Sequence, residues 1–223
     1  MSNIFDYLQW RGDLTLEQSE FNEIDNLILA RFSYLPFDKL IKENECVSIE
    51  ELSKRYKNTE IKQEEILWKD DINLLPALEK TERFKKLVAV KYKNKIDEEK
   101  EKQFSAITVL MPNNNMYVSY RGTDNTIVGW KEDFNMSFKS HVASQIDSVK
   151  YLEEIASQYP NYQIRVGGHS KGGNLAVYAA VFAKQEVKDR ITNVYNNDGP
   201  GFSDDITILD DYKEILPKVH TYI

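Results

Sequence analysis

The pentapeptide Gly168–Gly172, with the sequence Gly-His-Ser-Lys-Gly, leaves the chain few ways to fold around it. It lies between a predicted strand, Tyr162–Val166, and a predicted helix, Gly172–Lys184. The chain must turn sharply there, which strains the serine and leaves its Oγ exposed above a sheet edge. Side chains two positions before or after Ser170 would collide, and both positions are glycine. The motif therefore predicts an α/β architecture with an exposed serine at a helix N-terminus, where backbone N–H groups favour negative charge.

Strands and helices are also predicted elsewhere after the first 80 residues. From residue 162 onward they alternate, which indicates a parallel sheet with crossover helices. Two earlier strands flank the turn signal at 112–115 and are predicted to form a hairpin. The predicted strands are Leu87–Tyr92, Ser105–Met111, Met116–Tyr120, Tyr162–Val166, Ile191–Asn196 and Val219–Ile223, and the helices are Ser140–Tyr159, Gly172–Lys184 and Ile206–Leu216. The charge run Asn94–Gln103 is expected to be a solvated loop.

The first 80 residues have helical patterns. Apolar residues recur at helical spacing within Phe21–Tyr34, and the following Leu35-Pro36 step predicts a stop. Ser48 and Glu51 have capping-box spacing and predict a short helix from about residue 49. A further helix is predicted within Asp70–Lys80. This part of the chain is therefore expected to be a helical extension.

Composition excludes several classes of protein. Lys and Arg number 29 and Asp and Glu 36, so the net charge of −7 argues against a dedicated nucleic-acid binder, which needs a basic face. A single cysteine, Cys46, and three histidines without ligand spacing argue against a metal site. The longest apolar run, Leu175–Ala183, is far shorter than the roughly 20 residues of a membrane span. With no secretory signal pattern at the start, the cytoplasm is the expected location.

A second motif, Tyr120-Arg-Gly-Thr123, ends a predicted strand about fifty residues before the turn. A serine hydrolase needs two N–H donors aimed at the carbonyl oxygen of its substrate. One donor would come from Lys171, the residue after the serine, and the other from the Gly122-Thr123 loop. The Thr123 hydroxyl could add a third hydrogen bond. An ordinary strand-end turn is the alternative interpretation of this motif.

Together these motifs resemble the class 3 lipase branch of the α/β-hydrolases. The segments that carry the resemblance are Tyr120–Thr123, the downstream Trp130 and Asp133, and Gly168–Ala176, Gly-His-Ser-Lys-Gly-Gly-Asn-Leu-Ala. The chain is more closely similar to a bacterial family of uncharacterised lipase-like hydrolases, which shares Asp25–Arg31, the turn around Ser170 and Asn196–Gly201. The resemblance spans most of the chain.

The resemblance implies an α/β-hydrolase fold, with residues 1–80 as a helical N-terminal extension packed on the core and residues 81–223 as the core. Because the last predicted strand ends with the chain, the core is expected to be truncated at its C-terminal end. Ser170 is implied as the nucleophile, Thr123 and Lys171 as the oxyanion hole, and Gly168, His169 and Gly172 as the nucleophile elbow. Lys171 replaces a leucine common in the lipases, which weakens the expectation of an apolar lid contact and of triglyceride specificity.

The acid and the base of a triad are less evident than the serine. Asp198 follows the strand after the elbow and is the candidate acid, although it could equally be a turn aspartate. The class 3 lipases place the acid one strand later, at or beyond Ile223. His169 is locked in the turn, His141 begins a helix, and His220 lies within the last strand. Since the triad order in this fold is Ser, acid, His, a histidine beyond Ile223 is expected, with His220 as the alternative.

The expected function is ester hydrolysis of lipase or esterase type through an acyl-enzyme on Ser170. The substrate would be a small-molecule or lipid ester, and no cofactor, metal or nucleic acid is implied. For lack of the catalytic histidine, this chain is expected to be a poor enzyme. Two alternatives stay open: a non-catalytic protein that uses the hydrolase fold for binding, and a thioesterase.

Overall fold

A seven-stranded mixed sheet is the centre of the computed structural model, which describes residues 3–42, 44–62, 65–97, 99, 102–123, 127–136 and 141–223, without the side chains of 127 and 133. The strands are β1 (Val47–Ser48), β2 (Val88–Asp97), β3 (Lys102–Met111), β4 (Asn115–Tyr120), β5 (Gln163–His169), β6 (Ile191–Asn197) and β7 (Val219–Tyr222). Their order in the sheet follows their order in the chain. Strands β1 to β4 pair antiparallel and β4 to β7 pair parallel.

Helices cover both faces of the sheet. They are α1 (Ile4–Arg11), α2 (Glu23–Phe32), α3 (Ile49–Lys57), α4 (Leu74–Glu79), α5 (Ile127–Met136), α6 (Ala143–Gln158), α7 (Lys171–Phe182), α8 (Gln185–Lys188), α9 (Asp204–Thr207) and α10 (Asp210–Ile215). Side chains of α1 to α4 form one apolar core against β2, β3 and β4, and side chains of α6 and α7 form a second core on the opposite face. The predicted α/β-hydrolase fold is confirmed, because a mixed sheet lies between two helical layers.

Local sequence signals account for the helix ends. Asn22 accepts hydrogen bonds from the first N–H groups of α2, and Asp25 bonds back to the Asn22 N–H at 3.0 Å. The Ser48 Oγ accepts from the Glu51 N–H at 3.2 Å and begins α3, as its spacing predicts. Helix α2 ends at Phe32, shortly before Pro36.

Two predictions about secondary structure are wrong. The charge run Asn94–Gln103 is not simply a loop, because β2 continues to Asp97 and β3 begins at Lys102 in an antiparallel hairpin. Exposed charged residues at the end of this hairpin hide the strand pattern. The first 80 residues are not purely helical either, since β1 pairs with β2 at the sheet edge. No helix in the described ranges is both long and apolar enough to cross a membrane.

The carboxyl ends of the parallel strands meet at one edge of the sheet. Tyr120 of β4 pairs with Gly168 of β5, His169 pairs with Asn197 of β6, and Asn197 pairs with Tyr222 of β7. In open α/β sheets, this edge is where ligands bind. The two sequence motifs, after β4 and after β5, therefore follow adjacent strands at the same edge.

Candidate active site

Ser170 has the strained backbone expected at a sharp strand-to-helix turn. Its dihedral angles are φ 56° and ψ −130°, outside the regions that residues with side chains normally occupy. The residue is half-buried and lies directly between β5 and α7. Its N–H donates to the Asn197 carbonyl at 2.9 Å, which fixes the turn to the next strand. Strain of this kind persists only where the surrounding structure holds it.

Gly168 and Gly172 lie too close to neighbouring backbone to carry side chains. A Cβ on Gly168 would lie 2.4 Å from the Gly172 carbonyl carbon and 2.5 Å from the Tyr120 oxygen. A Cβ on Gly172 would lie 2.2 Å from the same Tyr120 oxygen. The turn is therefore packed directly against the end of β4, where the second motif begins.

A buried pair of amides ties the turn to the N-terminal helices. Asn26 of α2 donates to the Asn197 Oδ1 at 2.8 Å, and the Asn197 Nδ2 donates to the Gly168 carbonyl at 2.9 Å. The Tyr117 hydroxyl donates to the Asn26 Oδ1 at 2.7 Å, so this acceptor is satisfied inside the core. The segments that contain Asn26 and Asn197 carry the family resemblance, but the sequence did not predict their contact. Its signal is an asparagine among the apolar residues of α2.

The loop after β4 lies against the last residue of β5. A Cβ on Gly122 would lie 2.6 Å from the His169 carbonyl oxygen. Thr123 and Ser170 are the next residues along these two segments, and Lys171 begins α7. The first N–H groups of a helix have no carbonyl partner within that helix. The arrangement places the Gly122-Thr123 loop and the start of α7 beside Ser170.

The side chain of Lys171 points into the protein interior. It is 1% exposed, and its Nζ donates to the Gln103 carbonyl at 3.0 Å, to the Gln103 Oε1 at 2.7 Å and to the Glu132 Oε2 at 3.1 Å. Glu132 also accepts from the backbone N–H of Gln103 and of Ser144, each at 2.9 Å. The sequence analysis gave no role to Glu132, although it named the nearby Trp130 and Asp133. Of those, Trp130 is 68% exposed and the side chain of Asp133 lies outside the described part of the chain.

Asp198 lies at the same sheet edge but is exposed. Its φ is 53°, and its N–H donates to the Tyr222 carbonyl at 2.7 Å. The turn is capped by Asn196, whose Oδ1 accepts from the Gly199 N–H at 2.9 Å. Within the described ranges the Asp198 carboxylate makes no hydrogen bond. It therefore neither caps the turn nor bonds to a histidine.

Each of the three histidines forms its hydrogen bond with a residue other than Ser170. His141 is exposed and bonds through Nδ1 to the Tyr178 hydroxyl at 2.8 Å. His220 bonds through Nε2 to Asn193 at 3.1 Å and stacks on the ring of Tyr195. His169 contacts the Tyr34 hydroxyl through Nδ1 at 3.3 Å. Among the residues that the structure describes, none forms a hydrogen bond to the Ser170 Oγ.

His169 lies in an aromatic and cationic environment provided by the N-terminal extension. The ring of Trp68 meets it edge-on with centroids 5.6 Å apart, and the Arg31 guanidinium lies 3.5 Å above the Trp68 ring centroid. Burial lowers the pKa of His169, the positive charge of Arg31 lowers it further, and the carboxylate of Asp198 acts in the opposite direction. His169 is therefore expected to be neutral at pH 7.

We expect NMR titration to find the His169 pKa below the 6.5 of an unperturbed imidazole. Arg31→Gln should raise this pKa because it removes the nearby positive charge. Arg11→Gln, which changes an exposed cation at the end of α1, serves as the matched control and should leave it unchanged. A His169 midpoint above 6.5 would contradict the environment described here.

Solved structures of lipases share this fold. The M37 lipase matches with 15% identity over 91% of this chain and 67% of that chain, at a TM-score of 0.57. A fungal lipase structure matches with 17% identity over 94% of this chain and 71% of that chain, at a TM-score of 0.50. The Rhizomucor miehei lipase–propeptide complex matches with 16% identity over 86% of this chain, at a TM-score of 0.49. The chain spans about half the length of that lipase, covering 55% of it.

The family comparison agrees with the fold and with the motifs at the sheet edge. No curated protein matches the chain significantly. The Mbeg1-like family model matches residues 78–223, which is about two thirds of the chain and includes both segments beside Ser170. On this match, and with the α/β-hydrolase fold that it shares with lipases, the chain belongs to the Mbeg1-like family.

Proposed function

We propose that this protein is a serine ester hydrolase of lipase or esterase type, with Ser170 as its nucleophile. The observation that carries the proposal is the strained, half-buried Ser170 between β5 and α7, next to the Gly122-Thr123 loop. An energetically costly conformation at a serine is expected where the serine acts chemically. The proposed substrate is a small-molecule or lipid ester.

In the proposed reaction, the Ser170 Oγ attacks the acyl carbonyl carbon and loses its proton to a general base. The carbonyl oxygen becomes an oxyanion, which accepts hydrogen bonds from the N–H groups of Thr123 and Lys171. Collapse of the tetrahedral intermediate breaks the bond to the leaving oxygen, which takes the proton from the protonated base and departs as the alcohol, and leaves an acyl group on Ser170. Water then attacks the acyl-enzyme, releases the carboxylic acid and restores the serine.

A fluorophosphonate probe, added together with imidazole to supply a general base, tests this proposal directly. We expect it to form a covalent adduct on Ser170, located by mass spectrometry of the digested protein, because the adduct mimics the tetrahedral intermediate. Ser170→Ala should lose the adduct, whereas the control Ser203→Ala, at an exposed serine, should keep it. Failure to label Ser170 under conditions that label a known serine esterase would refute the proposed function.

A second candidate function is ligand binding by a hydrolase fold without catalysis. The observation that favours it is that the hydrogen bonds of His141, His169 and His220 are made away from Ser170. A serine without a base is a weak nucleophile. The same labelling experiment separates the two functions, because a binding protein would leave Ser170 unmodified.

A further inference from the structure

The hydroxyl of Tyr34 joins the two segments that form the proposed oxyanion hole. Tyr34 follows α2 in the N-terminal extension and is 5% exposed. Its Oη accepts a hydrogen bond from the Gly122 N–H at 3.1 Å and donates one to the His169 carbonyl at 3.2 Å. Gly122 belongs to the loop after β4, and His169 is the last residue of β5.

These two partners directly precede the residues that would do the chemistry. Thr123 follows Gly122, and Ser170 follows His169. We propose that Tyr34 is a positioning residue that sets the spacing between the Thr123 N–H and the Ser170–Lys171 turn. This inference rests on the proposed function and extends it to a residue outside the two motifs.

The hydroxyl, more than the ring, carries this role. Without it, the Gly122 N–H and the His169 carbonyl would both lose a partner at a position from which water is largely excluded. The fit is also close, because a Cβ on Gly122 would lie 2.2 Å from the Tyr34 Oη. A glycine in the loop is therefore needed for the tyrosine to reach both segments.

Neighbouring residues of the extension hold the Tyr34 ring in place. Trp68 packs edge-on against it with ring centroids 4.7 Å apart. The Arg31 guanidinium stacks over the Trp68 ring, and its Nε donates to Asp71 at 2.5 Å. Aromatic pairs and a cation over an aromatic face each favour one fixed geometry. The N-terminal extension thus presents a rigid phenol to the sheet edge.

Tyr34→Phe tests the inference, since it keeps the ring and removes the hydroxyl. We expect the rate constant for fluorophosphonate attack on Ser170 to fall about tenfold to a hundredfold, less than the loss on deleting an oxyanion donor outright. The reversible affinity of the probe, obtained from the concentration dependence of the same reaction, should change little. Tyr56→Phe is the matched control: its hydroxyl is buried in the same extension without a partner among the described residues. It should react at the wild-type rate.

The outcomes separate the inference from the proposed function. If wild-type Ser170 is labelled and Tyr34→Phe reacts equally fast, the inference is wrong and the proposed function stands. If wild-type Ser170 is not labelled, the proposed function fails and the inference fails with it. A measurement on the wild-type protein covers the case in which Tyr34→Phe does not fold. The Gly122 amide should be protected from hydrogen exchange, and exchange at the rate of an open loop would overturn the inference.

Discussion

The 223-residue chain should hydrolyse p-nitrophenyl esters only about 10³–10⁴ times faster than water alone, the residual rate of serine hydrolases that lack a triad member. The reason is that, among the residues that the structure describes, no histidine forms a hydrogen bond to the Ser170 Oγ. His220 stacks on the ring of Tyr195. Tyr195 pairs in the sheet with Gly167, which lies three residues before Ser170. Steady-state kinetics with a short-chain ester provide the measurement.

Two variants and added imidazole test this prediction. Ser170→Ala and His220→Ala should both leave the residual rate unchanged, because that rate comes from the oxyanion hole and substrate binding. Added imidazole should accelerate the reaction of the wild-type protein and not that of Ser170→Ala, because it supplies the missing base from solution. Turnover at ordinary enzyme rates that stops in His220→Ala would instead establish a Ser170–Asp198–His220 triad.

The buried ion pair behind the turn provides the second prediction. Lys171→Met should lower the free energy of unfolding by about 3–5 kcal/mol, because it leaves the Glu132 carboxylate buried without a cation. Both side chains are almost completely buried, at 1% and 2% exposure, so solvent does not screen the loss. Urea unfolding followed by circular dichroism measures the difference.

A double variant and a surface pair serve as controls for that prediction. Lys171→Met combined with Glu132→Gln should recover part of the stability, because the glutamine is neutral but its one carbonyl oxygen accepts from only one of the two backbone N–H groups. Lys54→Met breaks the exposed pair with Glu50 and should change the free energy of unfolding little, because solvent screens that pair. A loss below about 1 kcal/mol in Lys171→Met alone would mean that the pair does not stabilise the fold.

Sequence patterns predicted the parts of this structure that depend on neighbouring residues. The turn at Ser170 requires glycines at Gly168 and Gly172, and this requirement is visible within five residues. The cap at Ser48 and the end of α2 before Pro36 depend on similarly short segments. The elements that flank the candidate site could therefore be placed before any coordinates were known.

Contacts between distant segments could not be predicted in this way. Nothing in the spacing indicates that Tyr34 meets Gly122, 88 residues later, or that Lys171 reaches Glu132, 39 residues earlier. Lys171 was expected to weaken an apolar lid contact and to offer its backbone N–H, but nothing in the sequence indicated that its side chain turns inward toward β3. The β2–β3 hairpin was missed because a run of charged residues such as Lys95 and Glu99, both exposed, is also typical of loops. Such contacts depend on how distant segments pack against the sheet.

The amide pair between Asn26 and Asn197 also bears on how the protein is made. The two residues are separated by 171 positions, so α2 leaves the ribosome long before β6 exists. At about 5–20 residues per second, the interval is roughly 10–30 s. During this time the Asn26 side chain lacks Asn197, although α1 and β4, which also contact α2, are already made. The amide tie between α2 and the turn that carries Ser170 can therefore form only after β6 has been synthesised.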